Sequence, residues 1–293
     1  MHFKPVVENF CFLEAPRVDE RGIWFSDCAL GGFHCLRPNG QIDSWLTGRK
    51  FIGGMAINDD GKMICGGPDG LVWCDPATGA TGVLLDAING ELLPGCNDMM
   101  PDGKGGLYFG TMNYTAIKNG VRWGQAGIYR LDPDGAVTEL VSKLEFCNGI
   151  GLSPDGRNLY HNASMEGTIA YKILPDGRLS EGEMLNADKD CDGLAVDSEG
   201  GVWIALTHQG FLLRVRPDGT TDRRIEIPGG HVTSVCFGGS DWRDLYLTTT
   251  SEGAPAIVAK GGVPKTRTGR VLHAKSDIPG VPVAKTRFRL SAA

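Results

Sequence analysis

The chain has 293 residues, a net charge of −6 and glycine at 43 positions, about twice the ordinary share. An acidic balance of this kind excludes a global electrostatic attraction for nucleic acid, and the late basic residues between Lys260 and Arg289 are scattered among Gly, Pro and Val rather than gathered into an arm. Evenly spread turn residues speak against a helical bundle and for many short strands.

Nine cysteines, with no C-x-x-C pair, argue against a disulfide framework or a zinc ribbon. The opening Met1–Phe12 stretch carries Lys4 and Glu8 and has no secretory apolar core, and no run reaches the 18 apolar residues of a membrane span. The expectation is a cytoplasmic protein without membrane or nucleic-acid partners.

In chain order, one phrase recurs: a polar residue, a small apolar run, an Asp/Gly turn, then an aromatic-containing strand. It begins at Glu14 (EAPRVDERGIWFSD), Gly53 (GGMAINDDGKMICGG), Asn97 (NDMMPDGKGGLYFGT), Asn148 (NGIGLSPDGRNLYHNA), Asp192 (DGLAVDSEGGVWIAL) and, more loosely, Thr233 (TSVCFGGSDWRDLYLTT). The intervals are 39, 44, 51, 44 and 41 residues, and in the first five copies a Gly falls eight residues after the start. Between the copies lie further strand-and-turn units such as GLVWCDPATG, GIYRLDPDG and FLLRVRPDG. Their Pro presets the first turn dihedral and their Gly takes the positive one. About four short strands per 40 to 50 residues is the measure of a propeller blade. The six-fold period favours an all-β, six-bladed β-propeller over residues 1–293 as one domain, rather than two β-sandwiches.

In a propeller the innermost strands all start at one end of the central channel, so Glu14, Gly53, Asn97, Asn148, Asp192 and Thr233 are expected to ring its mouth. Two carboxylates, two carboxamides and a hydroxyl form an oxygen-only set. Carboxylates brought together repel and lose hydration, and a hard divalent cation relieves both costs. Calcium is the first expectation, with manganese, magnesium or zinc as alternatives.

The set Glu14-Ala-Pro, Asn97-Asp98 with Gly110-Thr111-Met112, Asn148-Gly149 with Ser153-Pro154-Asp155-Gly156, and Asp192 through Asp197 resembles the gluconolactonase / senescence-marker-protein-30 / luciferin-regenerating-enzyme family. The resemblance implies a six-bladed propeller and a lactone hydrolase dependent on one divalent metal. It further implies Glu14, Asn148 and Asp192 as metal ligands, with Asn97 contacting substrate or metal, and Asp192 as general base. Two departures stand out. Gly95 occupies a position where sugar-lactone members often carry Arg, and Asn162 stands where the family often has Asp. The metal set is intact and the aldonolactone assignment is weakened.

The longest interval holds Asn113–Gln125, where Tyr114, Arg122 and Trp123 are candidates for a lid over the substrate. His231 is the expected histidine of the pocket wall, ahead of His208. Cys96, Cys147 and Cys191 each precede a ring residue, and strand alternation turns them away from it. The expected activity is hydrolysis of a small sugar-acid or related lactone, the metal polarising the carbonyl and water attacking. A phosphotriesterase-like hydrolase using the same ring, or a binding propeller with a structural cation, is the alternative.

Overall fold

Each Asp/Gly turn of the repeat reverses the chain after a short apolar strand, and four such strands make one sheet. In the computed structural model, which describes residues 1–121 and 124–291, six four-stranded antiparallel sheets stand as blades around a central channel. The first five blades are consecutive in sequence: 13–45, 55–85, 96–144, 150–186 and 191–226. The fifth shows the logic. Its inner strand Cys191–Val196 pairs with Val202–Leu206, then Phe211–Val215, then Thr221–Glu226, each antiparallel to the last. Val202–Leu206 is buried at every position because both of its faces meet neighbouring blades, whereas the outer Thr221–Glu226 alternates toward solvent.

The sixth blade departs from the simple repeat. Its inner three strands are Val232–Gly238, Asp244–Thr249 and Gly269–Lys275, and its outer strand is the N-terminal Lys4–Phe10. Lys4 stands opposite His273 and Phe10 opposite Gly269, so the two ends of the chain close the ring by hydrogen bonds. Closure also removes a pair of free sheet edges.

An apolar seam fills each blade-to-blade gap. Trp203 of the fifth blade meets Phe237 of the sixth edge-on at 6.0 Å, and Val7, Leu13, Phe25 and Val271 seal the junction of the sixth with the first. After the last strand, residues 276–291 cross the end of the channel remote from the repeat starts. Thr286 forms a bridge with Asn58, Gly280 with Asp197, and Phe288 and Leu290 pack between the second and third blades. Among the described residues no helix is long and apolar enough to cross a membrane.

Candidate active site

The start of an inner strand is where its pairing is least regular. Register shifts fall between Glu14 and Arg17, between Cys96 and Met99, and between Cys191 and Leu194. Such bulges set two residues against one and re-aim side chains at a barrel rim. The bulge at Asn97-Asp98 explains why two consecutive polar residues both face the channel.

Five of the six repeat starts line one cavity of about 540 Å³: Glu14, Gly53, Asn97, Asn148 and Asp192. Asn97 Nδ2 donates to Asn148 Oδ1 (2.6 Å) and to the Cys147 carbonyl (2.9 Å), and Asn148 Nδ2 donates to Ser164 Oγ (2.8 Å). The Thr207 hydroxyl donates to Asp192 Oδ2 at 2.8 Å. Gly53 is required by this packing, since a Cβ there would lie 1.9 Å from Asn97 Oδ1. The sixth start is a correction to the expected ring. Thr233 is fully buried in the wall, its hydroxyl donating to the Leu13 carbonyl (2.6 Å), and adds nothing to the mouth.

The electrostatics of the ring are those of uncompensated charge. Burial, then repulsion from Asp192 and Asp98, holds the Glu14 carboxyl well above the usual carboxylate range. Burial likewise raises Asp192 to about 7, opposed by the Thr207 hydrogen bond. Asp98, deeper in the channel, has partners: Arg17 Nη2 at 3.7 Å and the backbone N–H groups of Met99 (2.7 Å) and Ile150 (3.3 Å). Among the described residues no cation pairs with Glu14 or Asp192. Nor do three or more His, Cys, Asp and Glu gather into a metal cluster there, so any cation would rely on the two carboxamides as well as the two carboxylates. Such an all-oxygen set fits a hard divalent ion.

The expected lid is present in part. Tyr114 opens a short helix, Tyr114–Lys118, capped by the Asn113 side chain, and its ring lines the cavity. Arg122 and Trp123 lie outside the described residues. Gly95 permits the position of Tyr114, because a Cβ on Gly95 (φ +135°) would lie 2.6 Å from the tyrosine ring. Where the family resemblance implies a long basic side chain, an aromatic ring stands instead. Asn162 also has a role of its own: Nδ2 donates to the Asp192 carbonyl (2.7 Å) while Oδ1 accepts from Thr168 (2.6 Å). A carboxylate there would lack that donor.

The order expected of the two histidines is reversed. His231, at φ 55° in the turn before the sixth inner strand, is not among the residues lining the cavity, because that turn carries it past the rim. His208 does line the cavity, with Nδ1 bonded to Asp190 Oδ1 at 2.5 Å. Asp190 also accepts the backbone N–H groups of His208 and Gln209, which fixes the loop. All nine cysteines are free and buried. Cys96, Cys147 and Cys191 pack in the seams, and burial pushes the Cys147 and Cys191 thiols up to about 12, far from thiolate chemistry.

Sequence reasoning missed Arg17, whose guanidinium spans from the first blade to the Met99 carbonyl of the third (2.8 Å) beneath the ring. It also missed the second short helix, Ala254–Ala259, whose Pro255, Val258 and Ala259 line the cavity opposite Ile117 of the first. No periodicity of the repeat carries either signal.

Comparison with known proteins agrees with the fold. Residues 12–251 match the model of the SMP-30/Gluconolactonase/LRE-like region. The chain is 28% identical to pentonolactonase XacC of Haloferax volcanii over 87% of this chain and 88% of that one. It is also 28% identical to a 6-deoxy-6-sulfogluconolactonase of Pseudomonas putida over 82% of each. Among solved structures, a calcium-binding protein, regucalcin, from Agrobacterium tumefaciens superposes with a TM-score of 0.77 at 25% identity, covering 98% of this chain and 95% of that one. With the family's region matched over most of its length and the propeller built as that likeness requires, this chain belongs to the SMP-30/gluconolactonase/LRE-like family.

Proposed function

We propose that the protein is a metal-dependent lactonase, opening a cyclic ester to the hydroxy acid. The observation that carries this reading is the pair of carboxylates, buried Glu14 and half-buried Asp192, at the floor of one cavity with no ion pair to a protein cation among the described residues. The names of the relatives, two of them lactonases, support the same class.

Glu14, Asn148 and Asp192, with Asn97, would hold the divalent ion, which supplies Lewis-acid polarisation of a carbonyl oxygen when bound. The chain's own groups do the rest. Asn97 and Asn148, bonded to each other and to the Cys147 carbonyl and Ser164, keep their oxygens fixed so that little reorganisation is needed during reaction. Thr207 fixes one oxygen of Asp192 and leaves the other as the acceptor for the proton of an attacking water. His208, held by Asp190 at the rim, stands beside this carboxylate as a second proton carrier.

The test is proton release by the pure protein on a panel of aldonolactones, γ-butyrolactones and aromatic lactones. Each is assayed metal-stripped and again with calcium, manganese, magnesium or zinc. Hydrolysis restored by metal is the expected result. A protein that binds metal at this ring yet opens no lactone overturns the reading.

A further inference from the structure

The floor of the cavity is polar, and so is one side of its wall, at Lys189, Asp190 and His208, but the rest of the wall is apolar. Phe12, Phe51, Phe146, Met112, Ile117 and Val258 come from five separate mouth loops and helices and turn toward the same space. Phe12, Phe51, Ile117 and Phe146 are only half-buried, and all four line the cavity. Phe51 is held at φ 60°, a conformation unfavourable for a bulky residue, and that places its ring 5.1 Å from the Tyr114 ring.

The hydrogen-bond donors at the floor are already largely committed, which leaves mainly the Glu14 and Asp192 carboxylates as open acceptors. The Asn97 and Asn148 amide groups donate within the ring, and Thr207 donates to Asp192. The Tyr114 hydroxyl reaches the carbonyls of Phe51 (3.4 Å) and Cys96 (3.3 Å) and Asn97 Oδ1 (3.5 Å). A polyhydroxylated lactone placed here would bury hydroxyls against Phe, Met, Ile and Val, and each one left unpaired costs about 1–3 kcal/mol. The space of about 540 Å³ lies in the range of sites that enclose a ligand well beyond one five- or six-membered ring.

We propose that the preferred substrate is a lactone bearing an apolar substituent, alkyl or aryl. Its ester sits on the Glu14–Asn97–Asn148–Asp192 floor and its substituent lies under the two short helices. This inference rests on the lactonase reading above for the ester and on the cavity walls alone for the substituent. Ile117 and Val258, one from each helix, both line the apolar bay and set its depth.

The experiment uses the full-length protein with calcium or the best metal found. It compares γ-lactones with side chains of zero to eight carbons and glucono-δ-lactone. In parallel, calorimetric binding of 2-alkyltetrahydrofurans, which have the ring and chain but no carbonyl, reads the bay without any chemistry. The expected result is a rise in kcat/KM of roughly two- to fourfold per methylene over the first several carbons, matched by tighter ether binding. Ile117→Asn and Val258→Asn should each lower the octyl-to-unsubstituted ratio of kcat/KM at least about tenfold. Ether binding that tightens with chain length while no lactone is opened upholds the bay and overturns the lactonase reading. Ether binding that is flat with chain length, or glucono-δ-lactone turned over faster than every alkyl lactone, overturns the apolar-substituent proposal and leaves the lactonase reading standing.

Discussion

Asp192 and Asp197 stand at opposite ends of one inner strand, five residues apart, Asp192 as its second residue and Asp197 just past its last. Asp197 is fully buried and completely partnered: Trp203 Nε1 at 2.8 Å, Arg214 Nε at 2.7 Å and the Gly201 N–H at 2.8 Å. Asp192 has the Thr207 hydroxyl and, across the cavity floor, another carboxylate. The same side chain on one strand is thus a fastening at one end and an unsatisfied charge at the other. Burial alone does not mark a functional carboxylate, whereas burial without a countercharge does.

The comparison can be broken at either end. Asp192→Ala should lower metal-restored lactone hydrolysis by roughly 10³-fold or more while leaving the melting temperature within a few degrees, since no protein cation is left unpaired. Retained activity with bound metal would remove Asp192 from the reaction. Asp197→Asn should do the opposite. Leaving Arg214 only Glu199 and Asp222 should cost about 3 kcal/mol in urea unfolding, with lactone turnover of the folded fraction preserved. Unchanged stability would show that those two partners suffice.

A third buried ionisable group sharpens the rule. His161 is fully buried, neither ring nitrogen has a partner among the described residues, and burial lowers its pKa to about 3. The unfolded chain therefore takes up this proton first, and stability is lost as pH falls from about 6.5 toward 3. Burial lowers His34 to about 4, so it acts in the same window. His161→Phe should flatten that profile by roughly 3 kcal/mol at pH 4, read from denaturant unfolding at pH 7 and pH 4. Identical pH dependence in the two proteins would place the acid sensitivity elsewhere. The smallest effect is expected at Cys191→Ser. A neutral thiol in a seam should be replaceable for about 1 kcal/mol with metal stoichiometry unaltered, and a loss of bound metal would bring sulfur into the site.

The repeat starts, the Asp/Gly turns and the Gly eight residues on in five of the copies were enough to read six blades and the convergence of Glu14, Asn97, Asn148 and Asp192. A propeller repeats one local unit, and local turn chemistry is written in adjacent residues. The sixth blade was less legible because its outer strand is supplied from Lys4–Phe10, some 260 residues away along the chain. Thr233 failed as a ring member for a related reason. Its hydroxyl found the carbonyl of Leu13, a partner that exists only once the ring is closed.

Composition, period and motif order therefore determined by themselves that this chain is a propeller with an oxygen-lined mouth. Tertiary structure alone decided the character of the space above that mouth. Ile117 and Val258 are ordinary apolar residues in two short helices 141 residues apart, and Gly95 is one glycine among 43. Ring closure brings the two short helices together, and the first hairpin of the third blade sets Tyr114 over Gly95, so that most of the cavity wall becomes apolar. Charge repulsion follows from which residues share a repeat position, but the shape and polarity of a cavity depend on packing between segments that no local pattern relates.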